Sequence, residues 1–408
     1  MKQFNVPFIY RSPLIAAVKN KRKQQDKMKK DFTPALLDFG TVQIYLARHF
    51  GFCYGVENAI DIAFRTIDEN PGKRIFLLSE MIHNPLVNAD LQQRGVQFLQ
   101  DPHGNQIIPF NNLTKDDVVI IPAFGTTLAI EATLNTIGIP TATYNTTCPF
   151  VEKVWNRSQQ IATKNYSVVV HGKPTHEETR ATFSHAASNT PTVVVNDMQE
   201  AIALSKYITG EKSAADFYSE FEGRYSDGFD VEKDLQRIGV VNQTTMLASD
   251  TQAISDYLKV VMMAKFNLNE ATIEAHFADT RDTLCYATND NQAAVYGLLQ
   301  TPADIAIVVG GYNSSNTLHL VELCEEKLPT YFISSDNAIV SPTEIVHYNF
   351  HTKKEITSTQ FLPATQPVKI LLTSGASCPD AVVEAVIAKI ISFFNVQQTM
   401  ESIIGQFT

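Results

Sequence analysis

The sequence lacks a long apolar run. No uncharged apolar stretch approaches the roughly 18 residues that a membrane helix requires. Near the N-terminus Pro7, Arg11 and Pro13 interrupt the few hydrophobic residues, so no secretory signal is evident. We therefore expect no membrane-spanning segment, no secretion and a cytosolic or organellar compartment.

Basic residues are fewer than acidic residues in this sequence. The 33 Lys and Arg against 43 Asp and Glu give a net charge of −10, which argues against a general nucleic-acid binder, so any phosphate must meet a local site. Charged residues make up only 19% of the 408 residues and hydrophobic residues 44%. This composition excludes wholesale disorder and provides enough apolar material for two or three packed domains.

The five cysteines are odd in number, widely spaced and without a CxxC pair, which is a poor disulfide framework. Cys53, Cys148 and Cys285 each directly precede a helical pattern, whereas Cys324 lies in an amphipathic stretch and Cys378 is ambiguous. For the first three, the residues alone leave three interpretations open. They are buried structural thiols, a zinc site with one open position, or an iron–sulfur cluster in which one iron lacks a protein ligand.

Short β-branched runs alternate with segments of helical periodicity, which predicts an α/β fold with mainly parallel sheets. The predicted strands are 41–47, 74–78, 118–125, 167–172, 238–243, 304–311 and 368–375, and the clearest helices are 56–68, 151–162, 292–299 and 380–393. Because a cysteine precedes three helical patterns, we predict three α/β units, each opened by one of these cysteines.

Three segments look peripheral. Residues 19–30 hold seven Lys or Arg and one Asp, which is typical of a solvated arm or exposed helix, so we expect the folded body to begin near Thr41. Residues 210–237 mix acids with Gly, Ser and aromatics and predict a solvated surface insertion, with partner docking as the alternative. The similar composition of residues 341–366 predicts a second surface insertion.

Hydroxyl and amide side chains follow three predicted strands. Helix N-termini meet anions at the carboxyl ends of parallel strands, so these segments together predict a phosphate or diphosphate site. Each alone is equally well explained as a structural cap or turn. The segments are Tyr312-Asn313-Ser314-Ser315-Asn316, Thr373-Ser374-Gly375-Ala376-Ser377 and Asn242-Gln243-Thr244-Thr245.

Two histidines and a glutamate follow other strand-like runs. His83 and His176 are candidate donors to an anion, although a lone histidine is more often a structural group. A carboxylate beside a phosphate is costly unless it carries a proton, so Glu178 is a candidate general acid. The alternative for Glu178 is an exposed loop carboxylate.

Eight motifs share one order with a known family over about residues 41–396. They are Gly51-Phe52-Cys53-Tyr54-Gly55-Val56, Ile82-His83-Asn84-Pro85, Thr147-Cys148-Pro149, His176-Glu177-Glu178-Thr179, Asn242-Gln243-Thr244-Thr245, Cys285-Tyr286-Ala287-Thr288, Asn313-Ser314-Ser315-Asn316 and Gly375-Ala376-Ser377. On these motifs the sequence resembles the 4-hydroxy-3-methylbut-2-enyl diphosphate reductase family, also called LytB or IspH. The ordered set is far more specific than any single motif.

The resemblance implies a trefoil of three α/β domains around a central [4Fe–4S] cluster with an open apical iron. It implies thiolate ligation by Cys53, Cys148 and Cys285, and a proton relay through Thr244 and Glu178 near the substrate hydroxyl. It also implies a diphosphate site formed by His83, His176, Thr245, Ser314, Ser315, Asn316 and Ser377. The implied divisions are an N-terminal extension (1–40), a first domain with a leading strand (41–147), a second with the acidic insertion (148–284), a third (285–396) and a tail (397–408).

The reaction implied by the resemblance is the last step of the non-mevalonate isoprenoid pathway. Two electrons and two protons remove the hydroxyl of (E)-4-hydroxy-3-methylbut-2-enyl diphosphate and give isopentenyl and dimethylallyl diphosphates. The open iron would act as Lewis acid and electron donor, and Glu178 would protonate the departing oxygen. Electrons would arrive singly from a ferredoxin or flavodoxin. We expect no bound NAD(P), no nucleic acid and no membrane partner.

One position departs from many bacterial members of the family. Phe124 stands where they have a histidine that contacts the diphosphate, and Lys173 or a backbone amide are candidate replacements for the lost donor. The plant and cyanobacterial branch resembles this chain in having Phe here and an N-terminal extension, so we expect activity.

Residues 1–30 are Lys-rich with a single Ser, unlike a transit peptide, which favours a bacterial cytoplasm over a plastid stroma.

Two other functions remain open on the residues. A zinc-dependent hydrolase of a phosphorylated metabolite would use the same three cysteines around a metal-bound water. A non-catalytic iron–sulfur sensor would bind an isoprenoid diphosphate and signal through residues 210–237.

Overall fold

The computed structural model describes residues 4–278 and 283–408; residues 1–3 of the predicted extension lie outside this part. Its strands follow the β-branched runs of the sequence. In chain order they are β1 (Ala35–Asp38), β2 (Val42–Leu46), β3 (Ile75–Leu77), β4 (Gln97–Phe98), β5 (Val118–Ile120), β6 (Ser167–His171), β7 (Thr192–Val195), β8 (Ile238–Asn242), β9 (Phe277–Ala278), β10 (Ile305–Val309), β11 (Thr330–Ile333), β12 (Ile339–Ser341), β13 (Glu344–Asn349), β14 (Lys354–Thr359) and β15 (Val368–Ser374).

α-Helices precede, connect and follow these strands. They are α1 (Pro13–Gln25), α2 (Tyr54–Glu69), α3 (Pro85–Gln93), α4 (Leu128–Ile137), α5 (Pro149–Ala162), α6 (Glu177–Ala187), α7 (Met198–Thr209), α8 (Ala214–Glu220), α9 (Val231–Asp234), α10 (Ala248–Phe266), α11 (Tyr286–Leu298), α12 (Ser315–Glu325), α13 (Asp380–Ile391) and α14 (Met400–Phe407). In the described ranges, none of them combines the length and the apolar character that crossing a bilayer would need.

The first of two compact units consists of Met1–Glu57, His83–Asn88 and Tyr286–Thr408. Its five-stranded sheet has the order β1-β2-β15-β10-β11. All neighbours pair in parallel except β1 and β2, which are antiparallel. Because β2, β15 and β10 are parallel, the residues after Leu46, Ser374 and Val309 emerge at the same edge of the sheet.

The second unit consists of Asn58–Ile82 and Ala89–Cys285 and contains two parallel sheets. One has the order β4-β3-β5 and the other β7-β6-β8-β9. In the larger sheet His171 pairs with Asn242, so the segments that follow β6 and β8 leave the same edge side by side. Val168 and Val170 are buried in the core on one face of β6 and Val169 in the core on the other, which is typical of sheets covered on both faces.

The α/β class with mainly parallel sheets is confirmed. Every strand and helix predicted above overlaps an observed element, with ends that differ by up to six residues. The three cysteines that were predicted to precede helices do precede α2, α5 and α11. The trefoil and the domain boundaries stay predictions.

The expectation that the folded body begins near Thr41 is wrong. Helix α1 and strand β1 precede that residue, and Leu14, Ile15 and Val18 on one face of α1 are buried. Ser12 caps α1 by accepting a hydrogen bond from the Ile15 backbone N–H at 2.9 Å, and its hydroxyl donates to Glu384 on α13. The high Lys content of residues 19–30 concealed this apolar stripe, which lies mostly before them.

The expectation of a solvated insertion at residues 210–237 is also wrong. Phe217 and Phe221 have no exposed surface, and Phe229, Val231 and Leu235 are buried with them against β7 and β8 residues of the core. The ring of Phe217 stacks on those of Phe221 and Phe229. The acids face outward while the aromatics fill the core. The composition averaged over the segment therefore wrongly indicated a solvated insertion. Residues 341–366 form the β13–β14 hairpin, whose strand β14 is exposed and whose Ile345 is buried.

Asp117 joins the starts of β3 and β5 in the second unit. Its carboxylate accepts hydrogen bonds from Arg74 Nε at 2.7 Å and from the Thr114 backbone N–H at 2.6 Å. Burial opposes the charged form of this side chain, which is only 4% exposed, but the hydrogen bonds from Arg74 and Thr114 hold the pKa of Asp117 below its usual value.

We expect Asp117→Asn to lower the free energy of unfolding by about 1–3 kcal/mol at pH 7, because the amide donates where the site supplies only donors. A carboxyl whose folded-state pKa is depressed contributes stability above its unfolded pKa and loses it as the pH falls through the folded value. The difference between variant and parent in urea titrations should therefore shrink below about pH 4. Asp116→Asn, at an exposed neighbour, is the control, and equal losses in both variants would contradict this account.

Candidate active site

In the first unit, the segment after β10 forms the amino end of α12. Ser314 caps this helix, accepting hydrogen bonds from the Thr317 backbone N–H at 3.3 Å and the Thr317 hydroxyl at 3.0 Å. Ser315 and Asn316 are the first two helical residues, and all three predicted side chains are buried. The unpaired backbone amides of a helix start and its positive dipole end favour a bound anion here.

Asn316 ties this helix to the segment after β15. Its Oδ1 accepts a hydrogen bond from the Ala376 backbone N–H at 2.9 Å, while the Ala376 carbonyl accepts one from the Cys53 N–H at 3.1 Å. The buried Asn316 Nδ2 has no hydrogen-bond acceptor in the described part of the chain. A buried donor without a partner is costly, so Nδ2 is a fitting contact for an anionic ligand.

His83 and Ser377 lie together in the same unit. The Ser377 hydroxyl donates to the His83 carbonyl oxygen at 3.1 Å, and both side chains are buried. The same carbonyl leaves no room for a side chain at Gly311, because an added Cβ would lie 2.3 Å from the His83 oxygen. The structure thus brings His83 and Ser377 together and holds the segment after β10 against them.

In the second unit, Glu178 and Thr244 form a buried pair. Glu178 is the second residue of α6 and only 1% exposed, which excludes the exposed loop carboxylate considered above. One carboxylate oxygen accepts a hydrogen bond from the Thr244 backbone N–H, and the other accepts from the Thr244 hydroxyl at 3.0 Å. The carboxylate and the hydroxyl are therefore in direct contact, as a proton relay requires.

His176 caps the helix that carries Glu178. Its Nδ1 accepts a hydrogen bond from the Glu178 backbone N–H at 3.1 Å, so the neutral ring carries its proton on Nε2 and can donate from there. Phe124 meets this ring edge to face, with centroids 5.6 Å apart. The phenylalanine that departs from the bacterial pattern thus packs against a predicted diphosphate ligand.

Gln243 contacts Thr245 and the residues around it; it lies in one of the sequence motifs but had no predicted role. Its Nε2 donates to the Thr245 hydroxyl at 2.8 Å, and its Oε1 accepts from the Lys173 backbone N–H and the Thr179 hydroxyl. Asn291, which donates to Asn316 Oδ1 at 3.4 Å, was missed in the same way. For both Gln243 and Asn291 the signal was an uncharged amide side chain. The sequence alone does not show whether such a residue is buried at a site or lies in a turn.

The three cysteines occupy equivalent positions at helix starts. The backbone N–H groups of Cys53, Cys148 and Cys285 donate to the carbonyls of Ala376, Ala123 and Thr244 respectively. None of the three is in a disulfide within the described residues. Burial raises the pKa of the Cys53 thiol, and hydrogen bonds from the Val56 and Gly55 amides oppose that rise. The start of α2 therefore directs donors at sulfur, which suits a metal-bound thiolate.

Cys53 belongs to the first unit, and Cys148 and Cys285 to the second. Among the described residues, no three His, Cys, Asp or Glu side chains converge to hold a metal ion. The thiolates of a four-iron cluster bind separate irons, so convergence on one ion is not required of them. Cys324 and Cys378 are fully buried, and burial raises the pKa of each thiol to about 12, consistent with core roles.

This chain is similar to known proteins over most of its length. The LytB protein family model matches residues 44–391. The 4-hydroxy-3-methylbut-2-enyl diphosphate reductase of Picosynechococcus sp. is 42% identical over 86% of this chain and 84% of its own length. The protein of the same name from Gloeobacter violaceus is 36% identical over 93% of this chain and 92% of its own length.

Two solved structures share the fold. The (E)-4-hydroxy-3-methyl-but-2-enyl diphosphate reductase described as the terminal enzyme of the non-mevalonate pathway aligns with a TM-score of 0.51 and 23% identity, covering 86% of this chain and 99% of the other. The E-1-hydroxy-2-methyl-but-2-enyl-4-diphosphate reductase from Plasmodium falciparum aligns with a TM-score of 0.61 and 22% identity, covering 86% and 88%.

The close approach of Gly311 to His83 can be tested directly. We expect Gly311→Ala to lower the free energy of unfolding by about 1–3 kcal/mol, because the methyl group must push the His83 carbonyl away. Gly405→Ala in α14 is the control, since its added methyl meets nothing within 4 Å and a helical Ala is favoured over Gly. Urea titrations that give the two variants equal stability would contradict the described packing of His83.

Proposed function

Because the chain belongs to the LytB protein family, we propose that it is a 4-hydroxy-3-methylbut-2-enyl diphosphate reductase. It removes the hydroxyl of (E)-4-hydroxy-3-methylbut-2-enyl diphosphate and releases isopentenyl and dimethylallyl diphosphates, as the last step of the non-mevalonate pathway. The observation that carries the chemical assignment is the buried contact between the Glu178 carboxylate and the Thr244 hydroxyl.

Each unit supplies candidate ligands for the diphosphate. In the first, Ser314, Ser315 and Asn316 begin α12, with His83 and Ser377 beside them, and the Asn316 Nδ2 is a donor without an acceptor. In the second, we assign the same role to His176, through Nε2–H, and to Thr245. Ser314, Ser315 and Asn316 are uncharged donors at a helix start, which bind an anion without the cost of burying cations.

The proton step uses Thr244 and Glu178. A proton held on a Glu178 oxygen can pass through the Thr244 hydroxyl, which it contacts at 3.0 Å, to the hydroxyl that leaves the substrate as water. Burial of both side chains excludes bulk water as a competing proton source. Phe124 cannot donate to the diphosphate; its ring instead supports the orientation of His176.

A [4Fe–4S] cluster held by Cys53, Cys148 and Cys285 is the cofactor we propose. The fit rests on the chemistry of the donors, which are cysteines at the starts of three helices, with amides directed at the Cys53 sulfur. Such a cluster supplies single electrons and an open iron when bound. Cysteines outside disulfides also suit a reducing compartment, and we propose the bacterial cytoplasm, with a ferredoxin or flavodoxin as electron donor.

Glu178→Gln tests the proton relay. We expect kcat to fall by about 100-fold or more with substrate affinity retained, because the amide keeps the shape of the carboxylate but cannot supply the proton. Turnover should be measured with a chemical reductant on anaerobically purified protein. Glu177→Gln is a matched control, since Glu177 is also buried at the start of α6 but accepts its hydrogen bond from Ser79. Near-normal turnover of Glu178→Gln would rule out the relay.

Cys53→Ser tests the cluster assignment. We expect roughly four irons per chain in the parent protein and a marked loss of iron, sulfide and visible absorption in the variant. Cys324→Ser is the control because Cys324 is a buried free cysteine of α12 outside the proposed ligand set. Circular dichroism should establish that both variants are folded. A fully loaded Cys53→Ser protein would overturn this ligand assignment, and a colourless, zinc-containing parent would overturn the reductase.

A further inference from the structure

The end of α1 and the turn after it present four exposed lysines, Lys23, Lys27, Lys29 and Lys30, which we name the lysine turn. Neighbouring bases are neutralised. Lys19 pairs with Asp380 at 2.7 Å, and Arg22 pairs with Asp31 at 3.1 Å. Within residues 4–278 and 283–408, no lysine of the turn forms an ion pair, although Lys29 is close enough to Asp290 to favour its charged form. The turn is thus a local positive surface on a chain of net charge −10.

The backbone of the lysine turn is held in place. Asp26 accepts hydrogen bonds from the Asp31 N–H on its side chain at 2.9 Å and from the Lys29 N–H on its carbonyl at 3.2 Å. Arg22 donates to the carbonyls of Asp31 and Thr33 and so closes the turn from the other side. A partner that binds this surface therefore has little backbone to order, which lowers the entropic cost of association.

The lysine turn adjoins the residues that follow two proposed cluster ligands. Lys29 Nζ lies 5.9 Å from the ring centroid of Tyr286, which is 37% exposed and directly follows Cys285 in the chain. The Tyr286 hydroxyl accepts a hydrogen bond at 3.3 Å from the backbone N–H of Tyr54, which directly follows Cys53. Met28, 73% exposed, adds an apolar contact among the lysines.

We propose that the lysine turn, with Met28 and Tyr286, is the docking surface for a small acidic protein that carries one electron at a time. The proposal rests on the reductase function above. Exposed positive charges steer an acidic partner to this surface, and the exposed Met and Tyr provide the apolar contact that charge alone lacks. Each docked carrier is oxidised by one electron and the enzyme reduced by one, so two encounters supply the two electrons of one turnover. A long polyanion such as DNA would meet the repulsion of the acidic remainder.

The test compares two triple variants of the anaerobically purified holoenzyme. Lys23→Glu, Lys27→Glu and Lys30→Glu reverse charges on the lysine turn and leave Lys29 against Tyr286. The control carries Lys73→Glu, Lys164→Glu and Lys327→Glu, three exposed lysines elsewhere, and has the same change in total charge. The probe is an oxidised [2Fe–2S] ferredoxin of strongly negative net charge, titrated by calorimetry at low and at physiological salt. Turnover with dithionite, which needs no docking protein, is measured in parallel.

We expect the lysine-turn variant to bind the ferredoxin at least about 10-fold more weakly at low salt, with a smaller salt dependence, and the control to bind within about twofold of the parent. Both should keep the dithionite-driven turnover. Unchanged binding by the lysine-turn variant overturns the docking surface, as do equal losses in both variants or tighter binding of duplex DNA than of ferredoxin by the parent. Absence of dithionite-driven turnover in the parent would instead overturn the reductase function, independently of the binding result.

Discussion

The strands β2, β15 and β10 run parallel and are hydrogen-bonded side by side, so their carboxyl ends meet at one edge of the sheet. A parallel strand cannot return through a tight turn, and here each of the three is followed by a helix that begins at that edge. The helix starts concentrate unpaired amides and positive dipole ends in one place. This is why serine and asparagine, rather than lysine and arginine, are enough to build a candidate anion site.

Burial then decides which polar side chains must find partners. In the second unit, the Glu178 carboxylate is accommodated because Thr244 donates to both of its oxygens, and Gln243 is accommodated because it bonds to Lys173, Thr179 and Thr245. A buried polar group without such partners would cost about 1–3 kcal/mol. In the described part of the first unit, several buried polar atoms have no hydrogen-bond partner, and Asn316 Nδ2 is one that belongs to a predicted diphosphate ligand. A ligand that accepts from it would recover this cost.

Periodicity and motifs predicted the strands, the helices and the helix-start positions of the three cysteines, because these depend on local sequence. Predictions from composition were wrong where one segment contributes both buried and exposed residues. Residues 210–237 place Phe217 and Phe221 in the core and acids outside, and the average of the two resembled a solvated loop. The role of Gln243 could not be predicted, because its three partners are brought together by pairing of β6 with β8. The same long-range pairing creates the Glu178–Thr244 contact.

The N-terminal segment shows how packing separates two kinds of lysine. Leu14, Ile15 and Val18 must be buried for α1 to pack, and the bases nearest to that packed face acquire acidic partners, as Lys19 does with Asp380. At the end of α1 and beyond it the chain turns away from the packed face, and in the described part of the chain the lysines of the turn are exposed and form no ion pair. Their charges contribute little to stability, since interactions between exposed charges are weak. Four exposed positive charges in an acidic chain therefore have their main physical effect on what approaches the protein.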